Sequence, residues 1–60
     1  MADRPLTVHI IAKRLDVAER TVIRLIHGGY LVAHRVGKQY RIFEEDYQKY
    51  LQSTVIQWDT

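Results

Sequence analysis

Two short apolar stripes of helical spacing, separated by a three-residue interval, most constrain what this chain can fold into. The positions that recur every three or four residues are Val8, Ile11, Ala12 and Leu15 in the first stripe and Val22, Leu25 and Ile26 in the second. The interval 16–18 is too short for a loop, and we expect Val17 to be the buried plug of a tight turn. The spacing predicts a helix-turn-helix pair, with helices over 7–15 and 19–27.

Start and stop signals frame both helices. Thr7 stands where an N-cap hydroxyl accepts a hydrogen bond from a first-turn amide. Gly28 and Gly29 follow the second helix, and glycine readily takes the left-handed conformation that ends a helix. The second helix carries Arg20, Arg24 and His27 on the side opposite its apolar stripe. A cationic outer face on a short, anchored helix suits contact with a polyanion, although a solvated face is the simpler alternative.

The period changes after the two glycines. Residues 33–36 and 40–42 have strand character, and Gly37-Lys38 between them is a tight hairpin signal. We call residues 33–42 the wing. We expect Tyr30 and Leu31, which precede it, to tuck apolar groups under the helices. A two-stranded hairpin is marginal alone, so the wing must lean on the helices.

A third apolar stripe predicts a helix over 44–52 that closes the core. Its members are Phe43, Tyr47, Tyr50 and Leu51. Three acidic residues, at 44–46, occupy its first turn, where the helix dipole favours negative charge. Together these elements predict a small α+β fold, a winged helix-turn-helix.

The last residues have an unusual composition for a chain terminus. Residues 54–58 are rich in β-branched and aromatic side chains and predict a further strand. Such a strand needs a sheet edge, offered by the wing of the same chain or of a neighbouring one. We favour the neighbouring chain. Val55, Ile56 and Trp58 would then form an oligomerisation segment, and we expect homo-oligomers at least when the protein is bound to its partner.

Length and charge refine this picture. Sixty residues suffice for one domain, which we place at 7–52, after a lead-in at 1–6 and before a tail at 53–60. Residues 13–41 carry a net charge of +5, whereas residues 42–60 carry −3. This asymmetry predicts one half that faces a polyanion and one that faces away.

Several function classes find no support in the residues. There is no cysteine, no glycine-rich phosphate loop and no nucleophile paired with a base. His27 and His34 lack a second ligand at metal spacing. We therefore expect no enzyme, metal, cofactor or small-molecule ligand. No apolar run spans a bilayer and no signal peptide is present, which predicts a cytoplasmic protein.

The chain resembles the excisionase-type, MerR-like winged-helix DNA-binding family over roughly residues 6–51. The matched positions are Thr7, Val8, Ile11, Ala12, Leu15, Val17, Thr21, Val22, Arg24, Leu25, Ile26, Gly29, Leu31, Ala33, Arg35, Val36, Gly37, Tyr40, Arg41 and Ile42, and the match continues through Asp46, Tyr50 and Leu51. In this family the second helix enters the major groove of duplex DNA and the wing contacts the backbone or the minor groove. The resemblance thus implies double-stranded DNA as the partner, bound in a bacterial cell at the nucleoid.

The resemblance also implies which residues touch DNA. Arg20, Thr21 and Arg24 look like the contacts of the recognition helix. Arg35, Lys38, Gln39 and Arg41 look like those of the wing.

Other positions near these elements keep two readings each. Tyr40 either packs on the wing or bonds a phosphate, and His27 is a surface or phosphate-edge group. Thr21 bonds phosphate or supports the core edge. Two departures from the family stand out: Ala18 replaces a capping serine, and Glu19 replaces a basic or polar residue. Glu19 either accepts from a cytosine amine or serves the helix dipole.

Three functions follow as hypotheses. The first is a phage excisionase, which binds repeated sites, bends DNA and directs an integrase toward excision. The short length of the chain favours an excisionase, because it leaves no room for an effector domain. The second is a small transcriptional regulator that binds an operator. The third is a protein-interaction or antitoxin-like module whose basic face is incidental.

Overall fold

The elements of the fold follow the order that the sequence predicts. The structure is a computed structural model that describes residues 5–56. Its helices are α1 (Val8–Leu15), α2 (Glu19–His27) and α3 (Glu44–Ser53), and its strands are β1 (His34–Val36) and β2 (Gln39–Arg41). The predicted winged helix-turn-helix is confirmed, with boundaries that differ by one residue at five of the ten helix and strand ends.

Main-chain bonds close the turn between the first two helices. Thr7 caps α1 as predicted, since its Oγ1 accepts from the amide of Ile10 at 3.1 Å. Asp16 ends α1 in the left-handed conformation, with φ of 58°, and the amide of Val17 donates to the carbonyl of Ala12 at 3.0 Å. The prediction that the Val17 side chain plugs the turn is wrong, because it is 39% exposed. The Val17 main chain, and not its side chain, holds the turn.

Helix α2 rests on the core through its apolar stripe. Val22 is fully buried, and Leu25 and Ile26 pack half-buried beside it. Ala18 makes no side-chain cap bond, as its identity predicts. The helix ends at the predicted glycines, but only Gly29 is left-handed, with φ of 83°. The sequence therefore locates the end of α2 correctly and places the left-handed residue at the second glycine.

The connection after α2 contributes one residue to the core instead of two. Leu31 is buried as predicted. Tyr30 is 71% exposed, so the prediction that it tucks under the helices is wrong. The amides of Tyr30 and Leu31 both donate to the carbonyl of Leu25, at 2.9 and 3.2 Å. The connection is thus held to the last turn of α2 by main-chain bonds, with Leu31 in the core and Tyr30 in solvent.

The wing is a tight antiparallel hairpin whose base is tied to the chain before α1. Arg35 faces Tyr40 across the ladder, and Gly37 supplies the positive φ, 64°, that the two-residue turn needs. The first strand is one residue shorter than the predicted 33–36, and the second lies one residue before the predicted 40–42, with Ile42 paired to Leu6 instead. Leu6 and Ile42 exchange two main-chain bonds, and both side chains are buried. A single bridging residue has no periodicity, so the sequence gives no signal for this role of Leu6.

Helix α3 closes the core from one side. Tyr47 is buried, and Arg14 of α1 lies over its ring at 5.5 Å from the centroid. Arg14 also forms a salt bridge to Glu44 at 3.3 Å. Phe43, predicted to join the apolar stripe, remains partly exposed and packs edge-on against His34, with ring centroids 5.1 Å apart. The buried residues of the core are Leu6, Ile11, Ala12, Val22, Leu31, Ile42 and Tyr47.

The segment after α3 does not form the predicted strand within the described residues. Thr54 keeps helical geometry, and its Oγ1 donates to the carbonyl of Leu51 at 2.7 Å. Val55 and Ile56 follow as irregular, exposed residues. The hydroxyls of Ser53 and Thr54 thus donate to carbonyls of the last turn of α3. Trp58, the remaining predicted anchor, lies outside the described residues.

Candidate nucleic-acid interface

The outer face of α2 presents two arginines to solvent. Arg20 and Arg24 project from the side of the helix opposite Val22, and both are exposed. Within residues 5–56, neither guanidinium has a salt bridge or a side-chain hydrogen bond. These two predicted contacts therefore remain available to an external acceptor.

Thr21 and Glu19 lie on the two flanks of that face. Thr21 is exposed. Glu19, on the other flank, accepts a hydrogen bond from Nδ1 of His9 at 2.9 Å. His9 belongs to α1 and lies off its apolar stripe, so the sequence pattern does not indicate its bond to Glu19. The pair links the first turns of α1 and α2 and holds one carboxylate oxygen of Glu19.

The wing carries its cations in two different environments. Arg35, Lys38 and Gln39 are exposed, whereas Arg41 is half-buried. The Nη1 atom of Arg41 is buried and has no hydrogen-bond partner among the described residues. An unpaired buried donor is costly, so the Arg41 guanidinium is not fully satisfied by the described residues.

A hydrogen bond joins the recognition helix to the wing. It connects Nε2 of His27, at the end of α2, with Oη of Tyr40, in the middle of β2, at 2.9 Å. The two rings meet edge to face, with centroids 6.1 Å apart. Arg35, the cross-strand partner of Tyr40, lies over the same ring at 5.8 Å from the centroid. We call His27, Tyr40 and Arg35 the clasp.

A surface groove of about 450 Å³ runs between α1, α2 and the wing. Its lining residues are Thr7, Val8, His9, Glu19, Ile23, Lys38, Gln39, Tyr40 and Arg41. Two cations of the wing and the His9–Glu19 pair thus border one concavity. The groove brings together five of the ten residues predicted to touch the partner: Glu19, Lys38, Gln39, Tyr40 and Arg41.

Negative charge is concentrated on α3, whose first turn carries Glu44, Glu45 and Asp46. The Gln48 amide, which donates to Glu44 at 3.0 Å, and the nearby Arg14 guanidinium lower the pKa of the Glu44 carboxyl. The anionic turn is therefore tied to α1 through Arg14. It contributes no residue to the groove or to the clasp.

The predicted residues do not all converge. The α2 residues and the wing residues are joined by the His27–Tyr40 bond and by the groove. Val55 and Ile56 lie on the segment after α3 and line neither feature. Among residues 5–56, no helix is long and apolar enough to cross a membrane.

Comparison with known proteins gives two matches. Residues 6–55 match the family described as helix-turn-helix domain. A stretch of 44 residues is 46% identical to Uncharacterized protein YvgK of Bacillus subtilis (strain 168), which corresponds to 73% of this chain and 14% of that protein. The chain thus spans about one seventh of the length of this relative. No solved structure matches the chain.

Proposed function

The chain belongs to the helix-turn-helix domain family, and on this premise we propose that it is a sequence-specific binder of double-stranded DNA. Membership of the family supports DNA binding in general. The observation that carries the specific proposal is a pair of arginines on α2 that have no side-chain partner within residues 5–56, on a helix that the clasp links to a cationic wing. A helix of this length fits the major groove of B-form DNA, whose width of about 12 Å admits an α-helix.

The arginines of α2 supply base recognition in this proposal. Arg24 projects from the middle of the helix and is our assignment for bidentate contact with a guanine edge. Arg20, one turn earlier, contacts a base or a phosphate, and the exposed hydroxyl of Thr21 bonds phosphate. The carboxylate oxygen of Glu19 that His9 leaves unpaired accepts from a cytosine amine.

The wing and the groove hold the DNA backbone. Lys38 and Arg35 are exposed and contact phosphates, and Gln39 adds a neutral donor. Arg41 lines the groove and is assigned a phosphate contact there. These contacts position the duplex without reading its sequence.

The narrower assignment is an excisionase. The resemblance of residues 6–51 supports it, and the matched family includes excisionase-like proteins. In this role the protein binds repeated sites, bends the duplex and directs an integrase toward excision, without catalysis or cofactor, in the cytoplasm of a bacterial host at the nucleoid. Exposed Val55 and Ile56 support contact between copies on DNA. The alternative is a MerR-like transcriptional regulator, which uses the same surface.

Selection of bound duplexes from a random pool, followed by footprinting, tests the proposal. Enrichment of one sequence motif is the expected result. Tandem direct repeats that fill cooperatively favour the excisionase, whereas a single inverted repeat favours the regulator. A pool that stays random after selection contradicts sequence-specific binding.

The salt dependence of affinity separates DNA binding from the protein-interaction alternative. Five to seven phosphate contacts predict a slope of about −4.5 to −6 for the logarithm of affinity against the logarithm of salt concentration. Fluorescence anisotropy of a labelled duplex measures this slope. A flat response points to a protein partner.

A further inference from the structure

The clasp connects the two elements that carry the proposed DNA contacts. Elsewhere, main-chain bonds tie the base of the wing to Leu6, through Ile42. Beyond that base, every residue of β1 is exposed, and the turn at Gly37 lies at the far end of the hairpin. In the part of the chain that the structure describes, the His27–Tyr40 bond is the side-chain hydrogen bond between the wing and α2.

We infer that Tyr40 is a positioning residue, which sets the separation between the recognition helix and the wing instead of contacting DNA. This inference rests on the proposed function. The Tyr40 hydroxyl fixes His27, at the end of α2, while the Tyr40 ring supports the Arg35 guanidinium on the opposite strand. One half-buried side chain thereby orients groups on both elements.

The physical argument is pre-organisation. A hairpin of two three-residue strands is marginal on its own, and a nine-residue helix does not persist without packing. Without a link, the wing has to be ordered when DNA binds, and that ordering reduces affinity. The clasp orders the wing beforehand, at the distance at which Arg35 and Lys38 reach phosphates while Arg24 reaches a base.

The clasp differs from direct contact in how two substitutions combine. If His27 and Tyr40 each touched DNA separately, the losses of affinity caused by their removal would multiply. If they act through one shared bond, removal of either end breaks it, and removal of the second end costs nothing more. The double variant therefore distinguishes the two roles.

The experiment measures affinity for the selected duplex at one salt concentration, with four variants and a double variant. Tyr40→Phe keeps the ring beneath Arg35 and removes the hydroxyl, and His27→Leu removes the other end of the bond. We expect each to weaken binding roughly 2- to 10-fold, the range set by one hydrogen bond. The double variant should bind no more weakly than the weaker single variant.

Two further variants serve as rescue and control. His27→Gln places an amide near the position of Nε2, where it can still bond the Tyr40 hydroxyl, and we expect affinity close to that of the parent. Tyr30→Phe removes an exposed tyrosine hydroxyl outside the clasp and should leave affinity unchanged. Losses that multiply in the double variant, or single variants that bind like the parent, overturn the inference.

Nuclear Overhauser contacts between the His27 and Tyr40 rings in the free protein separate this inference from the proposed function. If the parent binds DNA but the rings show no contact, the clasp is overturned and the proposed function stands. If the rings are in contact but the parent binds no duplex at any salt concentration, the proposed function is overturned and the positioning role with it.

Discussion

Two arginines on neighbouring helices show how the same side chain serves different ends in this fold. Arg14, on α1, forms a salt bridge to Glu44 and lies over the ring of Tyr47. Arg24, on α2, has neither an ion pair nor a side-chain hydrogen bond within residues 5–56. Arg14 joins α1 to α3, whereas Arg24 is exposed to solvent. Position in a charge-rich sequence does not separate the two residues, but their contacts do.

The largest effect is expected from a change in the core, on which the helices of both arginines pack. Ile11 is fully buried in this core, and Ile11→Ala should lower the free energy of unfolding by about 2–5 kcal/mol. The helices that carry Arg14 and Arg24 would both lose the packing that positions them. Chemical denaturation followed by circular dichroism measures the loss. A variant that unfolds at the parental denaturant concentration contradicts this view of the core.

Arg24→Ala should affect binding without affecting stability. We expect a loss of about 1–3 kcal/mol in binding free energy on the selected duplex, with relaxed preference at one base position. Fluorescence anisotropy with the selected duplex and with single-base variants of it measures both effects. Equal weakening on every duplex would show that Arg24 contacts phosphate and not a base.

Lys38→Ala should weaken binding to all duplexes alike. Because Lys38 is assigned one phosphate contact, the magnitude of the salt slope should fall by about one. Salt titrations of the parent and the variant on two unrelated duplexes provide the comparison. A changed base preference with an unchanged slope would reverse the roles assigned to the wing and the recognition helix.

Arg14→Ala is the matched counterpart of Arg24→Ala, and its effect should fall on stability alone. Arg14 and Glu44 are both partly exposed, so solvent screens their attraction and the midpoint of thermal unfolding should fall by no more than a few degrees. Affinity for DNA should match that of the parent. A loss of affinity as large as that of Arg24→Ala would remove the distinction between the two residues.

The smallest expected effect concerns pH. Since the pKa of Glu44 is lowered in the folded protein, its ionised form stabilises the fold above the ordinary carboxyl pKa of about 4.5. That contribution is lost as the pH falls through the lower, folded value. Glu44→Gln should therefore be less stable than the parent at neutral pH. The difference in free energy of unfolding between the two should shrink as the pH falls below about 4.5. Thermal unfolding at pH 7 and at pH 3 tests this sign, with Glu45→Gln as the control.

The sequence predicts the elements of this fold well because each is marked by local signals. Thr7 caps α1, Gly29 ends α2 and Gly37 turns the hairpin, and each signal acts within a few residues. The errors arise where a distant contact decides. The Val17 side chain is exposed although its amide bonds the Ala12 carbonyl. Leu6 is buried next to Ile42, with which it exchanges two main-chain bonds. No local pattern encodes either outcome.

The candidate site follows the same division. The outward direction of Arg20 and Arg24 could be predicted, since helical periodicity alone fixes it. The partners of His27 and Glu19 could not, because Tyr40 and His9 belong to other elements. Residues 54–56 form no strand in the described part of the chain, and the pairing of 54–58 with a neighbouring chain stays a prediction.

The bridge between Leu6 and Ile42 has a consequence for the order in which the chain folds. It joins the two ends of a segment that contains α1, α2 and the wing, so this contact closes the largest loop among the hydrogen bonds described above. Closing a long loop costs entropy before its contacts are gained. The base of the wing should therefore form late, after α1 and α2 have docked. The groove and the arginines of α2 then become a single surface in one final step.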